Sequence, residues 1–161
     1  MNRIKHKIIL NVILLFSIFA LIAAYFIQYI LGHQPCNLCL IERIPYIFVI
    51  IVIIFCLTFK KFEKISFIIL SLIFFFAVLI SFYHFGIEQG FFKESLVCDL
   101  KSGYKILTPE ELLDELKKRT ISCKDVTFTI MGFSLATINT VISLMLSVTT
   151  YKIYLNYEKN K

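Results

Sequence analysis

The hydrophobic residues of this chain fall into four long runs that polar segments separate. The first two runs cover 8–30 and 40–59, and the last two cover 65–82 and 126–153. A helix rises about 1.5 Å per residue and the hydrocarbon core of a bilayer is about 30 Å thick, so roughly 20 residues can cross it. The pattern therefore predicts an all-α membrane protein, a bundle of four transmembrane helices formed by a single domain, 1–161.

The composition supports a membrane setting. Hydrophobic residues make up 58% of the chain, whereas soluble domains contain about 45–50% apolar residues. The formal net charge of +6 is spread over short clusters between the apolar runs. Such clusters are typical of segments that flank a membrane, while nucleic-acid binding needs a basic face on a folded surface. The charge therefore gives no reason to expect a nucleic-acid partner.

The positions of the basic residues predict the orientation of the helices. They precede the first run, fill the turn between the second and third, and follow the fourth: Arg3, Lys5, Lys7, Lys60, Lys61, Lys64, Lys152, Lys159 and Lys161. Because short loops rich in Lys and Arg remain in the cytoplasm, both termini are expected there. The segments 31–39 and 84–125 then lie outside.

The longer external segment contains a pattern typical of a short helix. Thr108 can serve as the N-cap and Pro109 as the first helical residue. Leu112, Leu113 and Leu116 follow on one face. We expect a short amphipathic helix on the membrane surface, and a loop helix packed on the bundle is the alternative.

Four of the five cysteines fall in the expected external segments. Cys36 and Cys39 end the first segment, and Cys98 and Cys123 lie in the second. Cys56 lies inside the second apolar run, where a free cysteine behaves as a small hydrophobic residue, and we assign it no function.

The spacing of Cys36 and Cys39 indicates redox chemistry. Cys-x-x-Cys is typical of redox-active pairs, and a bridge over so few residues stabilises a fold poorly. Structural disulfides remain the alternative. A zinc site of four thiolates would need a second close pair, and a c-type haem would need His where Leu40 stands. No metal site is expected.

Arg43 has a possible chemical role beside this motif. Cys39 is expected near the first turn of the second helix, where the helix dipole favours an anion. Arg43 follows four residues later on the same face, and a cation there favours the thiolate. The alternative is an interfacial anchor paired with Glu42.

The ten residues Gln34–Arg43, QPCNLCLIER, resemble the motif of the disulfide bond formation protein B (DsbB) family of bacterial inner-membrane thiol oxidases. The segment Phe133–Asn139, FSLATIN, is also similar to the family, as are the four runs and the two external segments. The resemblance covers nearly the whole chain.

This resemblance implies a protein dithiol:quinone oxidoreductase that supports disulfide formation in other proteins. A periplasmic dithiol protein of the DsbA type would attack a Cys98–Cys123 disulfide and form a mixed disulfide with Cys98. Cys123 would then exchange with Cys36. Cys39 would pass electrons to a membrane quinone, ubiquinone or menaquinone, and thence to the respiratory chain, with Arg43 stabilising the thiolate and the reduced quinone.

The resemblance also implies the bacterial inner membrane as location, with the redox cysteines facing the periplasm. His84 resembles a family histidine and is a secondary candidate for quinone binding. One alternative function is a non-catalytic membrane assembly protein whose external cysteines form structural bridges. A relationship to vitamin K epoxide reductases is less favoured, because their Cys-x-x-Cys lies near the last helix.

Overall fold

The computed structural model describes residues 2–59, 63–93, 98, 122–124 and 128–159. The described residues form five helices and one two-stranded sheet: α1 Asn2–Tyr29, α2 Asn37–Ile41, α3 Ile44–Thr58, α4 Glu63–Glu88, β1 Thr129–Ile130, β2 Phe133–Ser134 and α5 Leu135–Lys159. The amphipathic helix expected from Thr108 onwards lies outside the described residues.

Three parts of the described chain are long and apolar enough to cross a membrane. They are His6–Tyr29, Asn37–Thr58 and Lys64–Glu88. The fourth long helix, α5, is not among them, because threonine, serine and asparagine interrupt its apolar residues. The prediction of membrane-spanning helices is therefore confirmed for three of the runs, and a fourth span remains a prediction.

Two helix boundaries differ from the expected spans. Helix α4 continues to Glu88 instead of ending at Phe82, because His84 and Glu88, four residues apart on one face, point into the bundle and are buried there. Helix α5 begins at Leu135, nine residues after Val126, because a β-hairpin occupies the intervening segment. The segment that follows this helix, expected to begin at residue 84, therefore begins after Glu88.

The helices pack in sequence, α1 against α3, α3 against α4, and α4 most extensively against α5. Val49, Ile53 and Phe67 are fully buried at the centre. Phe19, in contrast, is 68% exposed on the outer surface. An outer surface rich in large apolar side chains suits a bundle whose solvent is lipid.

Helices α4 and α5 approach each other through small residues. The hydroxyl of Ser71 donates to the carbonyl of Ser147 over 3.2 Å, and Ser147 donates to the carbonyl of Ser71 over 3.1 Å. Small side chains allow two helix backbones to come close, and their hydroxyls can bond across the interface. This reciprocal pair fixes the register of the two helices.

The hairpin before α5 turns sharply at Met131 and Gly132. Both have positive φ, 53° and 85°, as the two central residues of a type I′ turn require. The strands pair Thr129 with Ser134 and Ile130 with Phe133. Because β2 ends at Ser134, directly before Leu135, the hairpin fixes the direction in which the chain enters α5.

Ser134 joins this hairpin to two helices. Its hydroxyl accepts the amide hydrogen of Thr137 over 3.2 Å, the bond of a serine N-cap. The same hydroxyl donates to Oε2 of Glu88 at the end of α4. The start of α5 is thereby held beside the end of α4.

Candidate functional site

Cys36 is the N-cap of α2. Its Sγ accepts the amide hydrogen of Cys39 over 3.1 Å, so the sulfur satisfies one of the free donors at a helix start. The pKa of Cys36 lies below its ordinary value, first because the thiol of Cys39 donates a hydrogen bond to its sulfur. Burial opposes this shift, and the backbone amide of Cys39 adds to it. We expected the start of the helix to stabilise a thiolate at Cys39. The structure instead places the sulfur of Cys36 at this helix start.

The second cysteine pair lies against the first. Cys98 and Cys123 form a disulfide with their Cα atoms 5.9 Å apart, the pairing that the family resemblance implies. Both pack with Cys36, Leu38 and Ile87 in one buried cluster. Nδ2 of Asn37, inside the Cys-x-x-Cys, donates to the carbonyl of Cys98 over 3.4 Å. The two cysteine pairs therefore lie in contact, although 59 positions separate Cys39 from Cys98 in the sequence.

His84 links the cysteine motif to a chain of buried polar groups. Its Nε2 lies 3.5 Å from Sγ of Cys36, and its Nδ1 lies 2.7 Å from Oε1 of Glu42. The other carboxylate oxygen of Glu42 accepts from Nδ2 of Asn139 over 2.8 Å. Because a carboxylate accepts hydrogen bonds, Nδ1 carries a hydrogen, and Nε2 faces the sulfur of Cys36.

Sequence reasoning gave Glu42 and Asn139 no chemical role. Glu42 was considered only as a partner of an interfacial Arg43, and Asn139 only as part of the segment similar to the DsbB family. A usable signal was present, because ionisable and amide side chains inside apolar helices are costly and usually mark functional sites. Glu88 belongs to the same buried polar network as His84 and Glu42, because its Oε1 lies 3.7 Å from Nε2 of His84.

Arg43 lies beside the motif but contacts α1. Its Nη1 donates to Oε1 of Gln28 over 2.6 Å, and its guanidinium stacks 4.9 Å above the ring of Tyr25. The expected position on the same helix face as Cys39 assumed an unbroken helix. The structure instead ends α2 at Ile41 and makes Arg43 the N-cap of α3.

Pro45 causes this break. Proline has no amide hydrogen, so the bond that residue 45 would donate to the carbonyl of Ile41 cannot form. Arg43 instead bonds to the carbonyl of Leu40 over 3.2 Å in a tighter turn, and Ile47 resumes the regular pattern by donating to Arg43. The break turns the Arg43 side chain away from α2 and towards α1.

An apolar cavity of about 330 Å³ opens beside the cysteines. Its apolar walls come mainly from α1 and α5, with Tyr46 of α3 and Ile130 of β1, and are mostly Phe, Ala, Leu and Ile side chains. The polar residues of its lining, together called its polar end below, are Gln28, His33, Gln34, Cys36, Cys39, Glu42, Arg43, His84, Glu88 and Asn139. A cavity of this size, apolar with polar groups converging at one end, is typical of a site for a small apolar ligand.

The family model of disulfide bond formation protein DsbB matches residues 6–153, nearly the whole chain. The chain belongs to the DsbB family. A protein of Rickettsia prowazekii (strain Madrid E), named Uncharacterized protein RP370, is 26% identical to it over 148 residues, which cover 89% of this chain and 85% of that protein. No solved structure matches the chain.

The family resemblance drawn from Gln34–Arg43 is therefore confirmed. Membership of the DsbB family gives this chain an oxidoreductase role in disulfide bond formation. The three long apolar helical segments agree with a multi-pass membrane protein.

Proposed function

We propose that this DsbB-family chain is a membrane thiol oxidase that takes electrons from a DsbA-like dithiol protein and delivers them to a membrane quinone. The observation that carries the proposal is the packing of two cysteine pairs in one buried cluster at the polar end of an apolar cavity. Thiol–disulfide exchange needs sulfurs that can reach one another, and an oxidant dissolved in lipid needs an apolar approach.

In the first part of the reaction, a thiolate of the partner attacks the Cys98–Cys123 disulfide at Cys98. A mixed disulfide forms between the partner and Cys98, and Cys123 leaves as a thiolate. The second thiol of the partner then displaces Cys98, so the partner leaves oxidised. This chain retains the two electrons as the thiols of Cys98 and Cys123.

In the second part, the electrons pass to the Cys-x-x-Cys. The Cys123 thiolate attacks Cys36 of a Cys36–Cys39 disulfide and releases Cys39, and Cys98 then displaces Cys36. Cys36 and Cys39 are now the dithiol, and the Cys98–Cys123 disulfide is restored. The contact of Cys36 with Cys98 and Cys123 in one cluster supports this exchange.

The apolar walls of the cavity and the hydrogen-bond donors among its polar residues support binding of a ubiquinone or menaquinone ring there. A quinone supplies the oxidant, accepting two electrons and two protons as the Cys36–Cys39 disulfide reforms. Arg43 provides a cation at this end, and Gln28 and Tyr25 hold its guanidinium. His84, a second candidate for quinone binding, is held by Glu42.

We further propose that the cysteines face the periplasm across the bacterial inner membrane. The basic residues near positions 3–7, 60–64 and 152–161 would lie in the cytoplasm. This orientation requires α5 to be the fourth span. It puts the sulfurs in the compartment where disulfides form and persist.

The experiment that tests the proposal is quinone reduction by the purified chain, with a reduced DsbA-type protein as electron donor. Cys39→Ser should abolish quinone reduction while the chain still inserts into membranes. Cys56→Ser removes a thiol buried in the bundle core and serves as the matched control, which should retain activity.

The competing function is an assembly protein whose external disulfides are structural. Full quinone reduction by the Cys39→Ser variant would exclude the proposed mechanism. If neither the wild type nor the control reduces quinone, while loss of the Cys98–Cys123 disulfide unfolds the chain, the assembly protein is the better account.

A further inference from the structure

Three side chains of the candidate site converge as ligands of a metal ion do. Sγ of Cys36, Sγ of Cys39 and Nε2 of His84 all lie within 4.8 Å of one another, and the first of these sulfurs is 3.5 Å from the nitrogen. A tetrahedral zinc ion with bonds of about 2.3 Å to sulfur and about 2.0–2.1 Å to nitrogen separates such ligands by roughly 3.6 Å. The 3.5 Å separation of the Cys36 sulfur from Nε2 of His84 is close to this value.

The orientation of His84 is a second, independent observation. Nδ1 lies 2.7 Å from Oε1 of Glu42, which directs Nε2 at the sulfurs; in the neutral ring with its hydrogen on Nδ1, the Nε2 lone pair faces them. Histidines that bind metals usually donate their other ring hydrogen to a carboxylate or carbonyl, which fixes the ring and makes the bound nitrogen more basic. Asn139 holds the second oxygen of Glu42, so this supporting group is itself fixed.

The charges also balance. Two thiolates neutralise a divalent cation, so the bound ion adds no net charge to a largely buried site. Cys36, Cys39 and His84 all line the cavity, from which a water molecule can complete a tetrahedral coordination. Glu88 places Oε1 3.7 Å from Nε2 of His84 and can accept a hydrogen bond from that water.

We propose that the reduced form of this chain binds a thiophilic divalent cation of the zinc class through Cys36, Cys39 and His84. Binding releases the two thiol protons to solvent and changes no oxidation state. The Cys36–Cys39 disulfide has no thiolate and does not bind the ion. Because the ion occupies the sulfur lone pairs, it blocks reoxidation of the pair until a chelator removes it.

Anaerobic titration of the reduced full-length chain in lipid nanodiscs with Co²⁺ tests the site. One Co²⁺ per chain should produce thiolate-to-metal charge-transfer absorption and the visible bands of tetrahedral cobalt, and Zn²⁺ should remove both signals. The same chain oxidised at Cys36 and Cys39 should give neither. This comparison needs no substitution and depends on no quinone activity, so it can succeed or fail separately from the proposed function.

Variants then identify the ligands. The double variant Cys98→Ser/Cys123→Ser removes the other pair and should keep the signal, as should Cys56→Ser, which removes the remaining thiol. His84→Ala should weaken Co²⁺ binding by more than about tenfold, and Glu42→Gln, which removes the supporting charge, by about 10–100-fold.

Two results would overturn the proposal. One is a reduced wild-type chain without thiolate–cobalt absorption. The other is a His84→Ala variant that binds Co²⁺ as tightly as the wild type, which would leave a dithiol chelate without the imidazole.

Discussion

The hydroxyl of Tyr46 on α3 donates a 2.6 Å hydrogen bond to Oδ1 of Asn139 on α5. The amide nitrogen of the same asparagine donates to Glu42, which in turn holds His84. A single amide therefore connects α3, α5 and the polar end of the cavity.

Replacing Asn139 with Ala should lower the free energy of unfolding by about 1–3 kcal/mol, because the Tyr46 hydroxyl and one Glu42 oxygen would each lose a hydrogen bond. Thermal unfolding in detergent measures the change. Thr149→Ala, at an exposed position on the same helix, is the control and should change the melting temperature little. Equal melting temperatures for the two variants would contradict the prediction.

Replacing Arg43 with Ala should raise the apparent KM for quinone about tenfold or more, equivalent to about 1.4 kcal/mol, with a smaller effect on folding. The cause is the loss of a cation from the polar end of the cavity. Gln28→Ala keeps the charge but removes its 2.6 Å partner, and it should raise KM less. An unchanged KM in Arg43→Ala would rule out the proposed role of the guanidinium.

Gly86 is packed against Phe92 at the point where the chain leaves α4. A Cβ at position 86 would collide with the Phe92 ring, which stacks on Tyr83 with ring centroids 5.7 Å apart. Gly86→Ala should therefore lower the free energy of unfolding by about 1–3 kcal/mol. Adding Phe92→Ala should recover part of that loss, and a double-mutant cycle measures the coupling. Strictly additive effects would show that the two residues do not collide.

The reciprocal bonds between Ser71 and Ser147 predict that α4 and α5 tolerate only a small side chain at position 71. Ser71→Ala should cost about 0.6 kcal/mol, the usual value for a hydrogen bond between membrane helices. Ser71→Leu should cost about 1–3 kcal/mol, because the larger side chain separates the helices. Thr149→Leu places the same side chain at an exposed position and should be nearly neutral in thermal unfolding. A Ser71→Leu variant as stable as the wild type would show that the interface has room.

Much of this fold could be predicted from the sequence, because apolar runs longer than about 18 residues have few other interpretations. The family was recognisable because Cys36, Cys39 and Arg43 stand at fixed spacing in a short motif. The end of α4 was harder to predict, because His84 and Glu88 look like loop residues until their partners from other helices are known. The hairpin at Met131 and Gly132 was also hard to predict. It contains no charged residue, so its sequence looks like the beginning of the apolar run that forms α5.

The site shows a different limit of sequence reasoning. Helical spacing relates Cys39 to Arg43 only along an unbroken helix, and Pro45 interrupts it. The network through Glu42 and Asn139 joins residues 97 positions apart, and no local pattern reports such a distance. Individual chemistry-bearing residues could be picked out from the sequence, but their partners follow from packing.

The interruption at Pro45 separates the short helix α2, which carries the cysteine motif, from the longer helix α3. A bend within an unbroken helix breaks a backbone hydrogen bond, at a net cost of about 0.5–1.5 kcal/mol. Here that bond does not exist, since residue 45 has no hydrogen to donate. Under the proposed function, a change in the angle between α2 and α3 would carry the Cys36 and Cys39 sulfurs between the neighbouring disulfide and the quinone without breaking such a bond.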